Sequence, residues 1–216
     1  MPRDFGNLSL PPFERALIAE ATAQAAGWKK IEAVEHYADP HVQIEVARYE
    51  TPGRDSPTPP WTICHRKAAI AVAGQTAEGQ WVMVEQERYP LQRSLWEFPA
   101  GQIDDLENGL DTQVILDVIL SELEEEVGYT VDPEIGKITP MGYVFSSQGF
   151  SDEHMYLFHA TPLVPFAAGP RPESGESIAG ARLLTTEELC TRMAEGQSID
   201  ALSLALYARL AARGLL

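Results

Sequence analysis

The sequence predicts an α/β protein, a mixed β-sheet sandwiched between helices in an α/β/α arrangement, with an N-terminal helix and strands added ahead of it. Three observations predict it. Strand-like runs rich in β-branched and aromatic residues are interspersed with Gly- and Pro-free helical stretches along the chain. These runs lack the regular one-helix-per-strand alternation of a doubly wound parallel sheet. The 216 residues, 44% of them hydrophobic, supply one ample core. The expected organisation is a helical and β-rich extension over residues 1–60, followed by a main domain over 61–216.

The elements follow in order. Pro11 and Pro12 precede FERALIAEATAQAA, which places Phe13, Leu17 and Ile18 on one side and stops at Gly27, predicting a helix. IEAVEHYAD and VQIEVARYE read as strands, TPGRDSPTPP as a loop and WTICHRKAAIAVAG as a third strand. AEGQWVMVEQERYP is a strand entered through a turn, and LWEFPAGQIDD a short strand leading into a glycine loop. From Asp111, read as the N-cap, TQVILDVILSELEEEV runs without Gly or Pro to Gly128 and predicts a helix. KITPMGYVFSS and HMYLFHATPLV read as strands around the loop SQGFSDE, and a Pro/Gly-rich loop leads to a short strand at ARLL. Thr186 then caps a helix ending near Gly196, and Asp200 caps a last one closed by Gly214.

Composition narrows the function. A net charge of -16 repels nucleic-acid backbones and anionic membranes, so neither is an expected partner. A small anionic substrate then needs local cations or a metal. Cys64 and Cys190 lie far apart and outside any paired-cysteine metal spacing, which fits free thiols in a reducing compartment. The N-terminus carries acids early, and no run of roughly 18 apolar residues occurs. A cytoplasmic protein is expected.

The chemistry gathers on the predicted helix before Gly128. Glu122, Glu125 and Glu126, spaced by three and four, fall on one helical face, while Glu124 points elsewhere. Such carboxylates repel one another, and the helix C-terminus also disfavours them, so a structure that gathers them calls for a cation. Mg²⁺ suits the role, because it takes hard oxygen ligands and is commonly shared with substrate phosphates. Taken alone, a glutamate run is a solvated face.

The order of the surrounding pieces adds a resemblance. Gly101 and Glu107, followed by Ser121-Glu122-Leu123-Glu124-Glu125-Glu126-Val127-Gly128-Tyr129, resemble the Nudix box, G-x5-E-x7-R-E-U-x-E-E-x-G-U. Two departures stand out. Thirteen residues rather than seven separate Glu107 from the arginine position, a six-residue insertion, and that position holds Ser121. The flanks VEQERYPLQRSLWEFPAGQIDD and SSQGFSDEHMYLF are similar to the ADP-ribose pyrophosphatase branch of the Nudix family.

The resemblance implies a Nudix α/β/α fold and Mg²⁺-dependent (or Mn²⁺-dependent) hydrolysis of a nucleoside diphosphate conjugate. ADP-ribose, split to AMP and ribose 5-phosphate, is the leading substrate, with other nucleoside diphosphate sugars as alternatives. A weakly active nucleotide-binding or regulatory module is the competing expectation, because Ser121 cannot supply the fixed positive charge of the usual arginine. The implied metal ligands are Glu122, Glu125, Glu126 and the Ala100 carbonyl, with Glu125 also implied in catalysis. Arg88 corresponds to a phosphate-contacting arginine, and its planar fork suits that work. Glu97 matches a family glutamate beside the substrate, or it pairs with a nearby cation. Glu153 falls on a substrate-loop position, next to Ser151 and Asp152 as loop-shaping residues. The further glutamate that relatives draw from a loop ahead of the ARLL strand is matched by Glu176, or by Glu173. Trp28 and Trp61 are candidates for stacking on the base, or else pack internally or at an interface. Relatives also imply a homodimer.

Overall fold

The computed structural model describes residues 7–8, 20–21, 23–104, 112–172, 177–197 and 200–216. Most of the predicted N-terminal helix, the Asp111 cap and Glu107 lie outside them. A three-stranded antiparallel sheet comes first, in the order β1 (Lys29–Ala38), β2 (Val42–Glu50), β3 (Trp61–Arg66). A larger eight-stranded sheet then holds β4 (Ala69–Thr76), β5 (Trp81–Arg88), β6 (Arg93–Glu97), β7 (Ala100–Gln102), β8 (Tyr129–Val131), β9 (Lys137–Phe145), β10 (His154–Pro165) and β11 (Ile178–Leu184). It is mixed: β4 and β10 run parallel, and the remaining pairs are antiparallel.

The run WTICHRKAAIAVAG, expected as one strand, is two. Residues up to Arg66 pair with β2, while from Ala69 the chain enters the centre of the large sheet. There β4 alternates by face: Ile70 and Val72 join one core cluster, and Ala69, Ala71 and Ala73 the other. The first cluster takes Ile115, Leu116, Ile119, Leu120 and Leu123 from the helical run that begins as α1 (Thr112–Glu122). The second takes Leu189 and Met193 from α2 (Thr186–Glu195), with Leu206 and Leu210 from α3 (Ala201–Ala212). Helices therefore cover both faces, as the sequence predicted.

The α2 cap is Thr185 rather than Thr186, in a capping box with Glu188. Asp200 caps α3, accepting from the Leu202 and Ser203 amides. No helix among the described residues is long and apolar enough to cross a membrane.

Candidate active site

The glutamate helix does not end as a plain α-helix. After Glu122 the chain winds as a π-helical turn over Leu123–Val127, closed by Gly128 at φ 71°, whose N–H donates to the Leu123 carbonyl. Insertions of this kind widen one turn and redirect its side chains. Glu122 and Glu125 face a cleft of about 580 Å³. Glu126 lies beneath, 1% exposed, its Oε2 accepting the Ala100 N–H at 3.3 Å. Glu124 points away, as expected, and accepts from the Thr130 hydroxyl at 2.9 Å.

Opposite the helix, β7 pairs with β4, placing Gly101 beside Ile70. A Cβ built at Gly101 would overlap the Glu122 side chain, so a larger residue here would displace that carboxylate. Ala100, Gly101, Glu122 and Glu125 thus share one wall of the cleft.

Arg88 lies in the same cleft. Its Nε donates to Glu97 Oε1 at 2.7 Å and its Nη2 to Oε2, in a two-point pair. The Glu97 hydrogen bonds hold the guanidinium above its already high pKa against the effect of burial, and the charges of Asp200 and Glu126 add to this. Glu97 is 3% exposed, so it stands behind Arg88 and outside the cleft lining. Glu153 does reach the cleft, where its Oε1 is 3.0 Å from Arg66 Nε and its Oε2 accepts from Ser146 Oγ at 2.5 Å. Sequence reasoning passed over Arg66, although a strand-end arginine in so acidic a chain was a signal. It passed over Asp117 too, which lines the cleft one helical turn ahead of Ser121.

A second pocket, about 690 Å³, adjoins the loop of residues 146–153. Trp28, Tyr49, Trp61, Phe145 and Phe150 line it. Trp28 and Trp61 are 58% and 54% exposed, and Trp61 Nε1 donates to the Gly149 carbonyl at 3.0 Å. Both tryptophans singled out from sequence therefore meet in one place. Glu173 and Glu176 lie outside the described residues.

Glu122 and Glu125 turn carboxylate oxygens to the cleft beside Gly101, the hard-donor chemistry a small divalent cation takes. Among the described residues, no group of three or more His, Cys, Asp or Glu is gathered closely enough to hold a metal ion.

The model of the NUDIX domain family matches residues 65–205. A protein of Bacillus subtilis (strain 168) named ADP-ribose pyrophosphatase is 40% identical over 101 residues, covering 47% of this chain and 49% of that protein. One of Bacillus methanolicus named methanol dehydrogenase activator is 36% identical over 135 residues, covering 62% and 66%. The matched stretches thus span about half and just under two thirds of these relatives. A crystal structure described as an ADP compounds hydrolase superposes with a TM-score of 0.66 over 90% of this chain and 100% of that one, at 12% identity, and speaks for the fold alone.

Proposed function

Because the chain belongs to the Nudix family, we propose that it hydrolyses the diphosphate linkage of a nucleoside diphosphate conjugate, with ADP-ribose split to AMP and ribose 5-phosphate as the first substrate to test. The observation that carries this reading is the adjacency of two pockets across one short loop, an aromatic one and a polar one furnished with carboxylates and arginines. A base and a diphosphate of one ligand need such a pair. The similarity to a protein named ADP-ribose pyrophosphatase supports the choice of conjugate.

In this reading Trp28 and Trp61 flank the base, and Arg88 and Arg66, each oriented by its own glutamate, donate to phosphate oxygens. Glu122, Glu125, Glu126 and the Ala100 carbonyl would hold Mg²⁺ or Mn²⁺. When bound, such an ion polarises phosphoryl oxygens and makes water more acidic. Glu125, which lines the cleft, would take a proton from water, with Glu176 or Glu173 the alternatives. A second copy of the chain is proposed to cover β1, which is exposed along all ten residues and presents Ile31, Val34 and Tyr37 to solvent.

Purified protein incubated with ADP-ribose and Mg²⁺ or Mn²⁺, with AMP followed by chromatography, tests the reading. Absence of turnover on ADP-ribose and on a panel of sugar nucleotides would overturn it. One observation favours a second reading, a nucleotide-binding regulatory module: Ser121 faces the cleft where the family pattern has arginine. The similarity to a protein named methanol dehydrogenase activator points the same way. Nucleotide binding by calorimetry without product would select it.

A further inference from the structure

Strand β3 and the 146–153 loop meet as three consecutive rungs. Cys64 bridges Ser151 in parallel, with the Cys64 N–H donating to the Phe150 carbonyl at 2.9 Å and Ser151 Oγ donating to the Cys64 carbonyl at 2.7 Å. His65 meets Asp152, Nδ1 to Oδ2 at 2.5 Å. Arg66 meets Glu153, and its N–H also donates to Asp152 Oδ1 at 3.2 Å. The loop faces the aromatic pocket through Phe150 and Asp152, and the polar cleft through Glu153. The His65 rung therefore stands between the two pockets.

Its protonation follows from geometry. His65 Nε2 lies 3.1 Å from Glu45 Oε1, so each ring nitrogen faces a carboxylate oxygen. A neutral imidazole has only one N–H and would turn a lone pair toward one of these anions. The charged groups facing the ring are Glu45 from β2 and Asp152 from the loop. Lys30 from β1 shares the Glu45 oxygen at 2.5 Å, and Tyr49 acts on Lys30 from further off. With His65 protonated the cluster holds two cations and two anions; deprotonated, it keeps a surplus negative charge beside the buried Glu45. Burial of the ring works against protonation, but the hydrogen bonds to Asp152 and Glu45 outweigh it and hold the His65 pKa above the ordinary value.

We propose that His65 is a positioning residue for the diphosphate end of the site: as an imidazolium it ties Asp152 to the N-terminal sheet, and so fixes the adjacent Glu153–Arg66 pair in the cleft. Its kinetic consequence rests on the hydrolase reading; the latch itself does not.

The test compares wild type with His65→Gln and His65→Lys at pH 6.5 and 8.5. Amide hydrogen exchange at Cys64, Phe150 and Ser151 is read after correction for intrinsic rates, beside kcat and KM for the conjugate. Wild type is expected to lose about tenfold in protection at the higher pH, Gln to be poorly protected at both, and Lys, charged throughout, to be protected at both. KM is expected to rise about fivefold in the Gln variant with kcat within twofold, and Lys to restore KM. Asp152→Asn, changed on the loop side, repeats the Gln result should substitution at 65 impair folding. Unchanged protection in the Gln and Asn variants, or lost protection with KM unmoved, overturns the proposal. Should wild type hydrolyse no conjugate, the hydrolase reading fails, and the exchange arm still decides the latch.

Discussion

Glu97, almost wholly buried on β6, holds the guanidinium of Arg88 by two parallel hydrogen bonds and aims it into the cleft that Glu122 and Glu125 face. One strand thus supplies the orientation and the next the charge. Removing the glutamate alone leaves an arginine whose fork has no template. Because the Arg88 side chain is 39% exposed, water offsets part of the loss, and the coupling measured by an Arg88/Glu97 double-mutant cycle should be about 1–3 kcal/mol. Glu97→Ala should raise KM more than it lowers kcat, and Arg88→Lys should raise KM likewise, since an ammonium cannot bridge two oxygens. Denaturant melts and substrate kinetics on the four proteins check this.

Glu126→Gln keeps an acceptor for the Ala100 N–H while removing the charge. Turnover should fall on the order of 100-fold with the metal-free melting temperature held or raised, because a buried carboxylate becomes a neutral amide. An active variant would remove Glu126 from the proposed ligand set.

Gly101→Ala tests the close approach to Glu122. The added methyl overlaps that carboxylate, so the Glu122 side chain must shift from its place in the cleft. Turnover should drop by about 100-fold, as displacements of an ångström do, while the melting temperature changes by only a few degrees.

Trp61→Ala removes an aromatic wall and its anchor on the Gly149 carbonyl together. Base stacking contributes about 1–3 kcal/mol, so KM for ADP-ribose should rise roughly tenfold or more. Trp61→Phe separates the two effects, since it keeps a ring and loses the N–H. Equal KM in wild type and Trp61→Ala would place the base elsewhere.

His159, 6% exposed and packed against Trp81 with ring centroids 5.5 Å apart, is pushed down by burial from 6.5 to about 4. Its neutral form is the folded one. Between about pH 6.5 and 4 the unfolded chain binds the extra proton, so stability falls as pH falls through that window and the slope ends below it. The full effect is on the order of 3 kcal/mol. In urea melts from pH 7.5 to 4.5, His159→Leu should lose this component, and an acid limb identical to wild type would show that the ring does not titrate this way.

The helix from 112 to 127 was legible because its signals are local: an unbroken run of helix formers, apolar residues three and four apart, and Gly128 as stop. The carboxylate spacing, the Pro99-Ala100-Gly101 bend and the arginine ending β5 are likewise short-range patterns. They marked one wall of the cleft, while Arg88 and both pocket tryptophans were picked out only through the resemblance to the Nudix family.

What only the tertiary structure decided depends on partners far away in the chain. WTICHRKAAIAVAG carries no internal break as strong as its change of sheet, since β3 stops where its pairing with β2 ends. His65 with Asp152 and Arg66 with Glu153 join residues 87 apart, a separation that leaves no periodicity to read. The burial of Glu126 depends on a π turn, which the sequence spacing describes as well by an ordinary helix. Backbone propensity and nearest-neighbour spacing are written residue by residue, and they determined which chemical groups this chain brings. Which carboxylate faces the cleft, which lies beneath it and which glutamate holds which arginine were set by packing between elements, because only there do distant side chains compete for the same space and charge.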